Sequence, residues 1–197
     1  MAGKTVNPTR MELTRLKGRL KTARRGHKLL KDKRDELMKQ FMDVVRRNRA
    51  LRAKVEQGLK EANAAFTVAA ALMGPEVLEE ALSCPRRSVS LEVSTRNIMS
   101  VNVPVFTFQT DSGDDALLPY GFAQTSGELD AALEKMQAVF ADMLELAQVE
   151  KTMQLLAQDI EKTRRRVNAL EYVMIPETEQ NIRYITMKLD EIGRAHV

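Results

Sequence analysis

The chain has 197 residues, no Trp, only nine aromatic residues, and 29% Asp, Glu, Lys and Arg. A compact core of that size normally holds more aromatic volume, so the composition points away from a single globular domain and towards a helical rod. The lone Cys84 excludes an internal disulfide and fits a reducing compartment. With no apolar run near membrane-span length and no signal-peptide core, the chain reads as soluble and cytoplasmic.

The net charge of +4 hides an asymmetry. Residues 1–60 carry 19 Lys and Arg against 6 Asp and Glu, and the remainder 12 against 21. A basic first half lying antiparallel to a mostly acidic second half is favoured by complementary flanking charges, each exposed pair contributing little. Cancellation is uneven. Residues 4–34 hold 12 cations and only Glu12 and Asp32, whereas residues 161–191 are balanced at 6 against 6. The region near both termini is expected to be strongly positive.

Taken in chain order, residues 1–10 are short and polar and are expected to fray. Thr9 and Glu12 form a T-x-x-E capping box, and Asn7 as cap with Pro8 as first helical residue fits equally well. From there leucines and their substitutes recur in 3,4 alternation at Leu13, Leu16, Leu20, Ala23, His27, Leu30, Arg34, Leu37, Phe41, Val44, Asn48, Leu51 and Val55. The rhythm weakens through Gly58, Ala62, Ala65, Ala69 and Leu72. This spacing puts one narrow apolar seam along a helix, the pattern a coiled-coil partner needs. No Pro interrupts before Gly74-Pro75, so the helix is predicted to run about 65 residues, on the order of 95 Å. Gly18, Gly26 and Gly58 each weaken it by roughly 1 kcal/mol.

Pro75 opens a short helix through Leu82, which Cys84-Pro85 closes. From Ser88 to Thr110 the period changes to two. Val89, Leu91 and Val93 alternate with polar residues, as do Met99, Val101, Val103 and Val105, so an antiparallel hairpin is predicted with Thr95-Arg96-Asn97 as its turn. Pro104 marks an edge. Residues 111–115 read as a solvated loop, and residues 117–122 are expected to pack back on the hairpin.

A second long helix starts at Ser126 and continues to about Asp190. Its seam runs Leu146, Val149, Met153, Leu156, Ile160, Thr163, Val167, Leu170 and Met174. The rhythm slips near residues 144–146 and again at Pro176, resuming in a shifted register at Ile182, Ile185 and Leu189. These slips predict a bent rod. The fold expected is therefore mainly α, a long antiparallel two-helix coiled coil or helical hairpin with a small β-hairpin head inserted between the helices. Its parts are residues 1–74, 75–125, 126–191, and a tail at 192–197.

No chemistry stands out. His27, His196 and Cys84 lack metal-ligand spacing, so no metal site is expected. Neither a phosphate loop nor a nucleophile–base arrangement is present, and Asp114-Asp115 reads as a solvated pair. The chain is expected to have no catalytic site and no cofactor. Asn48 on the seam fits either a register-fixing polar group or an incidental one, and His27 either belongs to such a network or sits on a loosely packed stretch, whereas Arg34 is expected to snorkel. Lys162 with Arg164, Arg165 and Arg166 is the sharpest charge cluster. Such runs neutralise phosphates, but no aromatics interleave. Protein assembly is favoured over nucleic-acid binding, and a non-rotary coiled-coil scaffold fits the seam equally well.

Longer motifs narrow the choice. Residues 7–20 read NPTRMELTRLKGRL, residues 25–37 RGHKLLKDKRDEL and residues 161–172 EKTRRRVNALEY, with NIMSV at 97–101 and YGF at 120–122. Together they resemble the D-subunit family of V-type (archaeal- and vacuolar-type) ATP synthases, over about residues 6–191. The resemblance implies a central-stalk rotor axle, a non-catalytic part of an ion-translocating complex on the cytoplasmic side of a membrane. It implies insertion of the paired helix ends into a catalytic collar of A and B subunits. The hairpin would point towards the membrane, the F subunit of the stalk would bind the side of the axle, and the C subunit (d in eukaryotes) would link it to the membrane ring. Neither membrane insertion nor nucleic-acid binding is implied. Arg10, Arg24, Arg25, Lys28, Arg164, Arg165 and Arg166 are the candidate contacts to the collar.

At the far end the chain departs from the resemblance, which implies further helix beyond this point. Residues 192–197 back-translate to ATC GGA AGA GCA CAC GTC, a common sequencing-adapter string, and are expected to be a non-native tail.

Overall fold

The computed structural model describes residues 7–83, 89–110, 120 and 125–195. The stop at Cys84-Pro85, the loop at 111–115, residues 117–119 and 121–122, and His196 lie outside the described residues, while Tyr120 packs on the Ala69, Leu78 and Leu129 cluster. In order, the elements are α1 (Arg10–Met73), α2 (Pro75–Leu82), β1 (Val89–Ile98), β2 (Val101–Thr110), α3 (Gly127–Ala169), a π-turn (Leu170–Met174) and α4 (Ile175–Ala195). The protein is mainly α, with an antiparallel β-hairpin inserted between its long helices.

The start of α1 is decided by Thr9, whose Oγ1 accepts the Glu12 N–H at 3.2 Å. Its Glu12 carboxylate turns to Arg15 at 3.4 Å. The helix then runs unbroken for 64 residues and ends where Gly74 adopts a φ of 78°. Gly74 N–H donates to Ala70 O at 3.2 Å while its carbonyl accepts the Leu78 N–H at 3.3 Å, so one glycine closes α1 and opens α2. Pro75 follows at the first helical position, where its missing N–H costs nothing.

Two compact units are present, Met1–Gln40 with Ala157–Val197, and Phe41–Leu156. In the first, Arg24 meets Glu179, His27 meets Glu171 and Lys33 meets Asp159. Partner numbers fall as the α1 numbers rise, so the helices are antiparallel. In the second, Arg47 meets Glu145, Gly58 faces Val139, and Ala69 packs with Leu129, with the same sense. Arg52–Glu150 and Lys54–Asp142 bring the cross-helix contacts of this kind among the described residues to six, five ion pairs of Lys or Arg and the His27–Glu171 contact, and each takes its base from α1 and its acid from the later helices. The charge partition is realised pair by pair.

The seam is equally regular. Every predicted α1 position from Leu13 to Ala69 is buried or half-buried, and so is every one from Leu146 to Leu170. Leu72 is a correction. It is 67% exposed, because Ala69, Ala70 and Met73 instead face Leu78, Ala81, Leu129, Leu133 and Tyr120 where α1, α2 and α3 meet. Met174 is also exposed. Here the chain makes a π-turn in which Ile175 N–H donates to Leu170 O, five residues back. One extra residue is absorbed, and the seam steps from Leu170 to Ile175, then to Thr178, Ile182, Ile185 and Leu189, all at least half-buried. The register shift assigned to Pro176 thus lies just before it. Helix α3 passes 144–146 without a break, with Asp142 at the seam's margin held by Lys54 Nζ at 2.8 Å. Helix α4 continues through Ala195 rather than ending near Asp190.

The hairpin turn is corrected as well. Ile98 pairs with Val101, leaving Met99 and Ser100 as a two-residue turn with φ of 50° and 72°. Positive φ at both central residues is a type I′ turn, whose twist suits a hairpin. Asn97 supports it by accepting the Ser100 N–H at 3.0 Å and donating to Asn102 Oδ1 at 2.8 Å. Thr95-Arg96-Asn97 is therefore strand, opposite Pro104, Val103 and Asn102.

Candidate partner-contact surface

All seven candidate cations fall in one unit, the one containing both chain ends. Among residues 7–40 and 157–195 of that unit, 19 Lys and Arg stand against 11 Asp and Glu. The excess is a consequence of α1, since residues 157–195 alone are balanced at 7 against 7.

Each candidate is exposed. Arg10 is the first residue of α1 and about 20 Å along the helix from Arg24, at 1.5 Å per residue. Arg24 Nη2 donates to Glu179 Oε1 at 2.7 Å. Arg165 is held by Glu161, one turn back on its own helix. The other five, Arg10, Arg25, Lys28, Arg164 and Arg166, have no acidic partner among the described residues. Lys28 lies on the stretch of α1 bracketed by the His27–Glu171 and Lys33–Asp159 pairs. The segment 159–171 that forms the other side of this bracket contains Arg164, Arg165 and Arg166. These four therefore share one length of the helix pair, with Arg24 and Arg25 about one turn away.

The polar seam residues behave differently. His27 Nε2 lies 3.3 Å from Glu171 Oε2, a hydrogen bond in the tautomer protonated at Nε2. Arg34 is half-buried and turns to its neighbour Asp35, Nη2 to Oδ1 at 2.7 Å. Asn48 is buried, and its Nδ2 meets no acceptor among the described residues.

Two features were not singled out in the sequence. The π-turn leaves Tyr172 and Val173 projecting, 71% and 58% exposed, close in sequence to the Arg164–Arg166 cluster. Seam spacing announced a register shift near Pro176 but could not place the extra residue, which hides in a run that still reads as helix. A cleft of about 310 Å³ also lies between Glu12, Leu16 and Arg19 of α1 and Met174, Glu177, Thr178 and Asn181. Its size is at the lower limit of small-ligand pockets. No group of three or more potential metal ligands occurs among the described residues, and no described helix is long and apolar enough to cross a membrane.

Comparison with known proteins decides the family. The family model for the D subunit of ATP synthase matches residues 12–197. The chain is 63% identical to the V-type ATP synthase D subunit of Acetivibrio thermocellus, over 100% of this chain and 89% of the relative. The corresponding protein of Clostridioides difficile is 58% identical over 99% and 88%. That of Clostridium botulinum is 57% identical over 98% and 90%. The chain belongs to the D-subunit family of V-type ATP synthases. As a D subunit it is part of a rotary, ion-transporting ATPase complex with other subunits as its partners.

Proposed function

We infer that this D subunit is the torque-transmitting axle of its complex, coupling ATP synthesis or hydrolysis in a collar of A and B subunits to proton or sodium movement through a membrane ring. The F and C subunits are its other partners, on the cytoplasmic side, and the chemistry of ATP belongs to the collar rather than to this chain. The observation that carries this reading is the cationic unit containing both chain ends, in which five of seven candidate contacts lack an acidic partner among the described residues. An unneutralised excess of positive charge is available to a surface lined with acidic side chains.

The two sides of this unit are also unlike, basic along residues 7–40 of α1 and its cap and balanced along residues 157–195. A turning shaft of this kind offers each collar position a different set of contacts. Differential contact with alternative collar conformations is the free-energy term by which rotation biases them.

The test is co-purification with the A, B and F subunits followed by single-molecule rotation, using the natural chain and a variant with Arg25, Lys28, Arg164 and Arg166 all changed to Glu. The expected outcome is a folded variant that assembles poorly or rotates without tight coupling to ATP turnover. Unchanged assembly and rotation would show the cations to be a solvated face. Failure of the natural chain to bind either the collar or the F subunit would remove the axle reading itself.

A further inference from the structure

Strand β1 is an open edge. Residues 89–97 are exposed without exception, including Val89 at 42%, Leu91 at 51% and Val93 at 56%. The buried residues of the hairpin, Val101 and Val103, both belong to β2.

The ladder reveals which main-chain groups stand free. Phe106 N–H donates outward, away from β1, to Gln148 Oε1 at 3.0 Å. Phe106 and its partner Val93 are therefore a non-hydrogen-bonded pair. The turn agrees, because the residues flanking a two-residue type I′ turn, here Ile98 and Val101, form a hydrogen-bonded pair. By alternation, Val89, Leu91, Val93, Thr95 and Asn97 all direct N–H and C=O away from β2. None of these groups meets a partner among the described residues. Natural edges are usually blunted by charged side chains, Pro or a bulge; β1 has no Pro and no bulge, and its two charges, Glu92 and Arg96, are of opposite sign. An extended strand is what satisfies five alternating donor–acceptor positions at once.

We propose that the free chain dimerises through this edge, the β1 of a second copy adding antiparallel to make a four-stranded sheet with the order β2, β1, β1, β2. Charge selects both occupant and register. The strand carries one anion, Glu92, and one cation, Arg96, whose side chains share a face. A two-fold axis at Ser94 places Glu92 of each copy opposite Arg96 of the other, and Val93 opposite Thr95. Sliding the copies by four residues in one direction sets Glu92 against Glu92, and in the other Arg96 against Arg96, both repulsive. The dimer does not depend on the axle reading.

Sedimentation velocity or light scattering on the purified full chain over a range of concentrations tests it. A monomer–dimer equilibrium is expected. Val93→Pro removes an outward N–H and no bond of the hairpin itself, so the variant should be monomeric with an unchanged circular dichroism spectrum. Glu92→Arg should weaken the dimer about tenfold, and adding Arg96→Glu should restore it, a readout that survives if the proline variant misfolds. In a Cys84→Ser background, Ser94→Cys should form an intermolecular disulfide on oxidation, whereas Ser90→Cys should not. A chain monomeric at every concentration overturns the proposal. So does a dimer indifferent to both Val93→Pro and the charge exchange.

Discussion

Gly58 of α1 faces Val139 of α3 so closely that a β-carbon on the glycine would run into Val139 Cγ2. The surrounding α1 positions Ala62, Ala65 and Ala69 are also small and buried, so the two backbones approach on a stripe without bulk. Gly18 and Gly26 have open space where a β-carbon would stand. Three glycines that look alike in sequence therefore have opposite value. Gly58→Ala should destabilise by about 1–3 kcal/mol through overpacking, whereas Gly18→Ala and Gly26→Ala should each stabilise by about 0.5–1 kcal/mol. Denaturant midpoints measure all three, and Val139→Ala should reduce the Gly58→Ala penalty if the close approach is its cause.

Asn48 gives a second prediction. Its buried Nδ2 has no acceptor among the described residues, and leaving such a donor unpaired costs about 1–3 kcal/mol. Asn48→Leu, which extends the apolar seam between Val44 and Leu51, should raise stability by about 1–2 kcal/mol. A lower melting temperature would show that the amide is satisfied in solution and that it has a structural role after all.

Tyr120 predicts a pH dependence. Burial, and then its hydrogen bond to Asp130 Oδ1 at 2.6 Å, hold the phenol protonated well above its ordinary range. The folded-state pKa is raised, so this contribution to stability is complete below the unfolded value of about 10 and is lost as pH rises beyond it. Stability should fall on the alkaline side of about pH 10, and Tyr120→Phe should flatten that decline. Melting curves at stepped alkaline pH decide it, with Lys titration common to both proteins.

Paired and unpaired cations can be told apart without any other component of the complex. Arg25→Ala and Lys28→Ala should leave stability within about 0.5 kcal/mol. Arg24→Ala should cost up to about 1 kcal/mol through the lost Glu179 pair, and that cost should shrink as salt is added. Equal effects at all three sites, or no salt dependence at Arg24, would contradict the pairing.

The candidate site was legible in outline. The seven cations were visible as clusters along two helices, and the antiparallel pairing that follows from the seam was enough to place them in one unit. Their individual states were not legible. Arg24 and Arg25 are neighbours with the same side chain, yet only Arg24 reaches Glu179, because which of two adjacent cations meets a carboxylate depends on the rotation of one helix about the other. The hairpin shows the same division. Alternation identified both strands, but Met99 and Ser100 carry no turn signature comparable to Asn-Gly, and the turn is placed by strand register together with the Asn97 side chain.

By itself, the sequence determined the long helices, their seam, the break at Gly74 and the hairpin, and narrowed the first cap to Asn7 or Thr9. Each follows from local propensity or from periodicity that neighbouring residues already express. Tertiary structure decided that Val101 and Val103 are covered while Val89, Leu91 and Val93 are not. It also decided that the register shift is absorbed by a π-turn ahead of Pro176, and that Gly58 is a point of close approach. The physical reason is common to all three. An apolar alternation or a glycine says what a position can tolerate, whereas burial depends on which distant surface arrives there.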